Sequence, residues 1–217
     1  MSLTLYCHPF ASFCQKVLIA LYENETPFTA HLVNLGDEAS RAAFLKIWPV
    51  GKFPVLRDHA RGRTIPESTI IIEYLAQHHP GPMPLVPADA EGAIAARQWD
   101  RFHDLEVAVP MQKIVTDRLR PSGQRDALGV DAARAQLRTA LAIVDAEMAA
   151  KTWATGEAFT MADCAAAPAL FYANEVMPLG AAHASAAAYL ERLMRRPSFA
   201  RVLKEAEPYR HLFPREN

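Results

Sequence analysis

The sequence predicts an α/β unit of order β-α-β-α-β-β-α followed by an all-helical unit. Three observations carry this. Strand-like and helix-like segments alternate through residue 79 without a long structureless gap. The run Pro80-Gly81-Pro82-Met83-Pro84-Leu85-Val86-Pro87 then cannot continue a helix. Beyond it the pattern is almost wholly helical and dense in alanine. The predicted division is an α/β domain over residues 1–79, a stiff linker over 80–88 and a helical domain over 89–217.

The elements follow in order. Leu3-Thr4-Leu5-Tyr6 alternates and predicts a short strand, and Cys7-His8-Pro9-Phe10-Ala11 predicts a loop. A helix is expected over 12–24, because Cys14, Val17, Leu18 and Leu21 form one apolar stripe. Residues 28–33 suit a second strand and 39–47 a short helix. Residues 53–57 and 63–65 suit two more strands around a polar turn, and 69–79 closes the unit as a helix. Helices are then expected over 88–119, 131–151, 161–177, 184–195 and 198–207.

Composition bounds the function. The chain has 217 residues, 51% of them hydrophobic, which suffices for a sizeable core. Its 23 basic and 24 acidic residues are dispersed, so nothing electrostatic points to nucleic acid. No apolar run approaches the roughly 18–20 residues that span a bilayer. The first residues lack the basic start and apolar core of a signal peptide. Cys7, Cys14 and Cys164 are widely spread, with neither metal-ligand nor disulfide-framework spacing. A reduced, cytoplasmic protein without metal or membrane partner is expected.

The chemical signal lies in Ile65-Pro66-Glu67-Ser68-Thr69-Ile70-Ile71, where an extended segment turns into a helix. The first helical turn offers unpaired N–H groups and partial positive charge. A ligand carboxylate can dock there, with the Ser68 hydroxyl as a further donor, while Glu67 receives an ammonium group. Carboxylate and ammonium on one carbon describe an amino-acid head group. A second signal, Thr160-Met161-Ala162-Asp163, has the spacing of a helix capping box with Asp in place of the usual Glu or Gln.

These pieces together resemble the cytosolic-type glutathione transferase superfamily over nearly the whole chain. The motifs that carry the resemblance are Gly51-Lys52-Phe53-Pro54-Val55-Leu56, Pro66-Glu67-Ser68 with the helix after it, and the capped helix at Thr160. The segment from Leu5 to Val17 is similar to the family's active-site loop and first helix. The resemblance implies a thioredoxin-like N-terminal domain, an all-helical C-terminal domain and a twofold homodimer. It implies glutathione as co-substrate, with no further cofactor. It implies a cis Pro54, pairing of the Phe53 main chain with the cysteinyl part of glutathione, and Lys52, Glu67 and Ser68 as glutathione-binding residues.

A transferase must stabilise the glutathione thiolate, because a free thiol, with pKa near 8.5, is a poor nucleophile. Ser12 fits the required hydroxyl donor at the start of the first helix, and it also fits a plain helix cap. Counted back from Lys16-Val17, the family's usual Ser or Cys falls on Ala11, one residue earlier. Tyr6, Cys7, Cys14 and His8 are nearby, with packing or surface roles the simpler reading. For the second, electrophilic substrate the resemblance points to Phe10, His103, Val107 and Met111, and further along the same helix to Lys113, Ile114 and Val115. Trp48, Trp99 and Trp153 read as packing anchors. The expected activity is transfer of the thiolate to a partly apolar electrophile, a detoxification chemistry. The alternatives are a non-catalytic ligand-binding or stress-regulatory relative, or a glutathione-dependent disulfide reductase or isomerase. The Ser-Ser-Cys pattern of maleylacetoacetate isomerase-type members is replaced here by Ala11-Ser12-Phe13.

Overall fold

The structure, a computed structural model, describes residues 2–215. The first unit has the predicted order: β1 (Leu3–Cys7), α1 (Ser12–Glu23), β2 (Thr29–Leu32), α2 (Glu38–Leu45), β3 (Val55–Asp58), β4 (Arg63–Pro66) and α3 (Ser68–His78). The strands form one sheet in the order β2-β1-β3-β4. β1 runs parallel to β2 and antiparallel to β3, and β3 pairs antiparallel with β4. The alternation read in β1 divides the faces. Leu3, Leu5 and Cys7 enter the main core with Val17, Leu18 and Ile71, whereas Tyr6 joins Val33, Phe44 and Val55 in a smaller cluster under α2.

The second unit contains α4 (Ala90–Phe102), α5 (Val109–Asp117), α6 (Ala127–Met148), α7 (Met161–Val176), α8 (Ala184–Arg195) and α9 (Pro197–Ala206). Short 3₁₀ segments lie at Ser122–Gln124, Gly180–His183 and Glu207–Leu212. The boundaries shift where the chemistry demands. α6 starts at Ala127 because Asp126 caps it, accepting from the Gly129 N–H. α9 starts with Pro197, whose missing N–H costs nothing in a first turn. The capping box at Thr160 and Asp163 forms as expected.

The long helix expected over 88–119 departs from regularity. Between α4 and α5 lies a π-helical turn, His103–Ala108, in which the Val109 N–H reaches back five residues to the Asp104 carbonyl. Pro110 follows at once, lacks an N–H, and its ring would crowd the Glu106 carbonyl in a regular helix. A widened turn just before it relieves that conflict.

One apolar core runs through both units. α1 packs against α3 on one side and against α7 and α9 on the other. The proline-rich segment is pinned as well: Leu85 is buried, and its carbonyl accepts from the Met161 N–H at 2.8 Å. No helix among the described residues is long and apolar enough to cross a membrane.

Candidate active site

A cleft of about 320 Å³ opens between the β3 side of the sheet and the α4–α5 helix. Its first wall holds Lys52, Phe53, Pro54, Glu67 and Ser68, the five residues singled out in sequence for ligand binding. The Phe53–Pro54 bond is cis. Phe53 precedes β3, and its main chain makes no hydrogen bond to the described residues. An extended ligand can therefore pair with it as a strand would.

Glu67 is the residue before α3, and its φ of 69° lies in the left-handed region. A glutamate seldom sits there without cause. Its side chain makes no capping bond to its own helix and stays exposed in the cleft. Ser68 opens α3, is buried, and its hydroxyl has no hydrogen-bond partner among the described residues. Together they leave a carboxylate, a hydroxyl and a helix N-terminus facing one space.

The opposite wall comes from α4, the π-turn and α5: Arg101, Asp104, Leu105, Val109 and Gln112, with Phe13 and Trp48 at its ends. Arg101 donates to the Asp104 carboxylate at 3.0 Å. The cleft thus presents two carboxylates, Glu67 and Asp104, and two cations, Lys52 and Arg101, a mixture suited to a zwitterionic group. Leu105 and Val109 are 45% and 46% exposed, so this wall also offers apolar surface.

Asp104 belongs equally to a buried network beneath the cleft. Lys16 of α1, 1% exposed, lies 2.7 Å from Asp100 and 2.8 Å from Asp104. The Thr69 hydroxyl accepts from Lys16 at 2.9 Å and donates to Asp100 at 2.6 Å. Three elements, α1, α3 and the α4–π segment, meet at this cluster directly behind Ser68.

At the start of α1 the residue before the helix is Ala11, which supplies no side-chain cap. The Cys14 N–H donates to the Ala11 carbonyl at 2.9 Å, which leaves the Ser12 and Phe13 N–H groups without a partner among the described residues and available to a ligand. Ser12 is therefore no cap. It is 7% exposed and lies behind the cleft rather than on its lining, and its Oγ accepts from Gln112 Nε2 at 3.2 Å.

The expected second-substrate residues are corrected. His103, Val107 and Met111 are buried in the core, as is Ile114. At spacings of four and three they form one helix face, and that face turns inward against α7. Burial lowers the His103 pKa to about 4, and its Nδ1–H donates to the Trp99 carbonyl. Lys113 pairs with Asp126 instead of facing a ligand. Phe10 points elsewhere, into a separate cavity of about 250 Å³ with Phe171 and Tyr172. The residues on the cleft are those at 101, 104, 105, 109 and 112, the adjacent face. Mixed polarity at that spacing was the available signal, and the π-turn obscured it. Trp48, read as a packing anchor, lines the cleft.

The remaining candidates are structural. Tyr6 packs on His31 and Phe44. His8 stacks edge-on against Tyr209, and burial lowers its pKa. All three cysteines are free and buried. Burial pushes the Cys7 thiol up to about 12 and raises Cys14 and Cys164 as well. Thiols of this kind are poor nucleophiles.

Comparison with known proteins agrees with this geometry. Residues 5–83 match the family "Glutathione S-transferase, N-terminal domain" and residues 126–213 match "Glutathione S-transferase, C-terminal domain". Glutathione S-transferase GstB of Escherichia coli K12 is 26% identical over 203 residues, covering 93% of this chain and 97% of that protein. A glutathione S-transferase from Methylobacillus flagellatus, solved with glutathione bound, superposes with TM-score 0.83 at 26% identity, covering 93% of this chain and 98% of that one. One from Methylobacterium radiotolerans, in complex with glutathione sulfonate, superposes with TM-score 0.81 at 29% identity, covering 92% and 93%.

Proposed function

The chain belongs to the glutathione S-transferase superfamily, and on that premise we propose that it is a glutathione transferase, delivering the glutathione thiolate to a small, partly apolar electrophile. The observation that carries the reading is the first wall of the cleft. Glu67 and Ser68 receive the γ-glutamyl head group, the unpaired Phe53 main chain receives the cysteinyl part, and Lys52 meets a carboxylate. Glutathione is a co-substrate, and no further cofactor is invoked. Thiol activation falls to the first turn of α1, through its free Ser12 and Phe13 N–H groups, with the Ser12 hydroxyl acting from behind the lining through Gln112. The electrophile's apolar part rests on Leu105 and Val109. The free cysteines suit the reducing cytoplasm.

Calorimetric titration with glutathione tests the binding. Glu67→Gln and Ser68→Ala are each expected to weaken it by about 10-fold, the scale of one hydrogen bond to a charged group. Ultraviolet absorbance of the thiolate tests activation: the bound thiol must ionise well below its free pKa of about 8.5. Absence of binding in the wild-type protein would defeat the reading. Binding without a shifted thiol would favour the second reading, a ligand-binding relative without catalysis, for which Ala11 in the family's usual Ser or Cys position speaks. A disulfide reductase needs a reachable thiolate, and the burial of Cys7 and Cys14 argues against one.

We also read a twofold homodimer. Exposed Ile70 on α3 and Ile94 on α4 supply apolar surface for a second copy. Sedimentation velocity at micromolar concentration should show about twice the 24.0 kDa chain mass, and a monomer would refute it.

A further inference from the structure

We propose that Gln112 is a catalytic residue of this site: its carboxamide donates a hydrogen bond to the glutathione sulfur, and Ser12 aims it. The inference rests on the reading above and adds the group that touches the reacting atom.

Three observations converge on it. Gln112 lines the cleft across from Phe53, where the cysteinyl part is placed, whereas Ser12 lies behind the lining. The Gln112 Nε2 to Ser12 Oγ contact at 3.2 Å uses one of the two amide hydrogens. The other hydrogen has no partner among the described residues, and it belongs to a group on the cleft surface. Ala11 puts no hydroxyl at the entry of α1, so a side-chain donor for the sulfur has to come from the facing wall.

The arrangement explains why a hydroxyl one residue past that entry is worth having. Held at its oxygen by Gln112, Ser12 fixes the amide so that its second N–H points into the cleft. A neutral N–H fixed beside a developing anion in a partly desolvated cleft stabilises the thiolate over the thiol. The S–H proton leaves to water. The sulfur lone pair then forms the bond to the electrophilic carbon, and a leaving group such as halide departs with the pair from the broken bond. Gln112 keeps its protons throughout, and Ser12 serves as a positioning residue.

The test is the pH titration of thiolate absorbance in the glutathione complex, together with turnover on an aryl halide. Gln112→Leu is expected to raise the bound thiol's pKa by about one unit and to lower kcat/KM roughly 10-fold. Glutathione affinity should change by less than about 3-fold, since the head-group contacts are untouched. Gln112→Glu keeps the size but replaces the donor by a negative charge, and should raise the thiol pKa at least as far. Ser12→Ala should give a smaller shift, and Ser12→Ala combined with Gln112→Leu should be no worse than Gln112→Leu alone. Thermal unfolding confirms that each variant is folded. An unchanged thiol pKa in both Gln112 variants overturns the proposal while leaving glutathione binding intact, as does an additive double variant. A wild-type protein that binds no glutathione overturns this inference and the reading beneath it together.

Discussion

A Lys16→Met variant is expected to lose roughly 3–5 kcal/mol of folding stability. Lys16 is 1% exposed and is the cation between the Asp100 and Asp104 carboxylates. Methionine fills much of the same space but leaves the buried Asp100 carboxylate without its cation, and Asp104 with only the half-exposed Arg101. Removing one partner of a buried pair costs more than the pair ever contributed, because the stranded charge has no water. The loss should also depend on pH, and the sign follows from Asp100. Burial holds its carboxyl above the ordinary carboxylate range; Lys16 pulls it back in part, and Asp104 pushes it up. A group whose folded pKa is raised adds stability that is full below the unfolded pKa and is lost as pH rises through the folded one. Without Lys16 the folded value climbs further. The difference from wild type should therefore be smallest near pH ~4, about the unfolded value, and grow toward neutrality. Adding Asp100→Asn should recover part of it. Urea unfolding at two pH values measures all of this. A loss under about 1 kcal/mol, or one equal at both pH values, would mean that water already reaches the cluster.

That cluster marks where the sequence stopped being legible. Periodicity alone reads Lys16 as one more charge in a helix whose apolar stripe is Cys14, Val17, Leu18 and Leu21. Its burial follows from neighbours on other elements, Thr69 of α3 and Asp100 and Asp104 of the α4–π segment. A single helix cannot reveal a neighbour that arrives from a distant part of the chain. The order of strands and helices was legible because each is a local pattern bounded by prolines, glycines or caps. The placement of the first cleft wall was legible for a related reason. Glu67 and Ser68 are adjacent in sequence, so the strand-to-helix turn that presents them is itself local. The facing wall was not. Its side chains depend on helical phase, and the π-turn before Pro110 inserts a step in that phase. Residues 103, 107 and 111 consequently went to the core, and 105, 109 and 112 to the cleft. Ser12 is a different case. Its place in the chain was right, but its hydroxyl is engaged by Gln112, a partner 100 residues away.

Asp163→Ala is expected to cost roughly 3–5 kcal/mol, through a network far from the cleft. The Asp163 carboxylate accepts from the Thr160 N–H at 2.8 Å, closing the capping box, and from the Ala154 N–H at 2.8 Å. The Tyr189 hydroxyl of α8 donates to it at 2.6 Å. One side chain therefore ties the start of α7 to the loop before it and to the neighbouring helix. Alanine strands these buried donors, each unsatisfied group costing about 1–3 kcal/mol before relaxation. Asp163→Asn separates capping from mere polarity. Its oxygen can keep the Ala154 and Tyr189 bonds, but its NH₂ would face the Thr160 N–H, donor against donor. It should lose about half as much as alanine. The consequence for the site is indirect. The Tyr172 hydroxyl of α7 donates to the Phe10 carbonyl at 3.0 Å and accepts from Gln15 at 2.9 Å, so α7 holds the loop that leads into α1. Where the variants are still folded, glutathione affinity should fall far less than stability does. Urea midpoints with unchanged slope, ordered wild type, Asn, Ala, would support this. Equal midpoints for Asn and wild type would show that the Thr160 bond contributes nothing and that the Ala154 and Tyr189 bonds carry the effect.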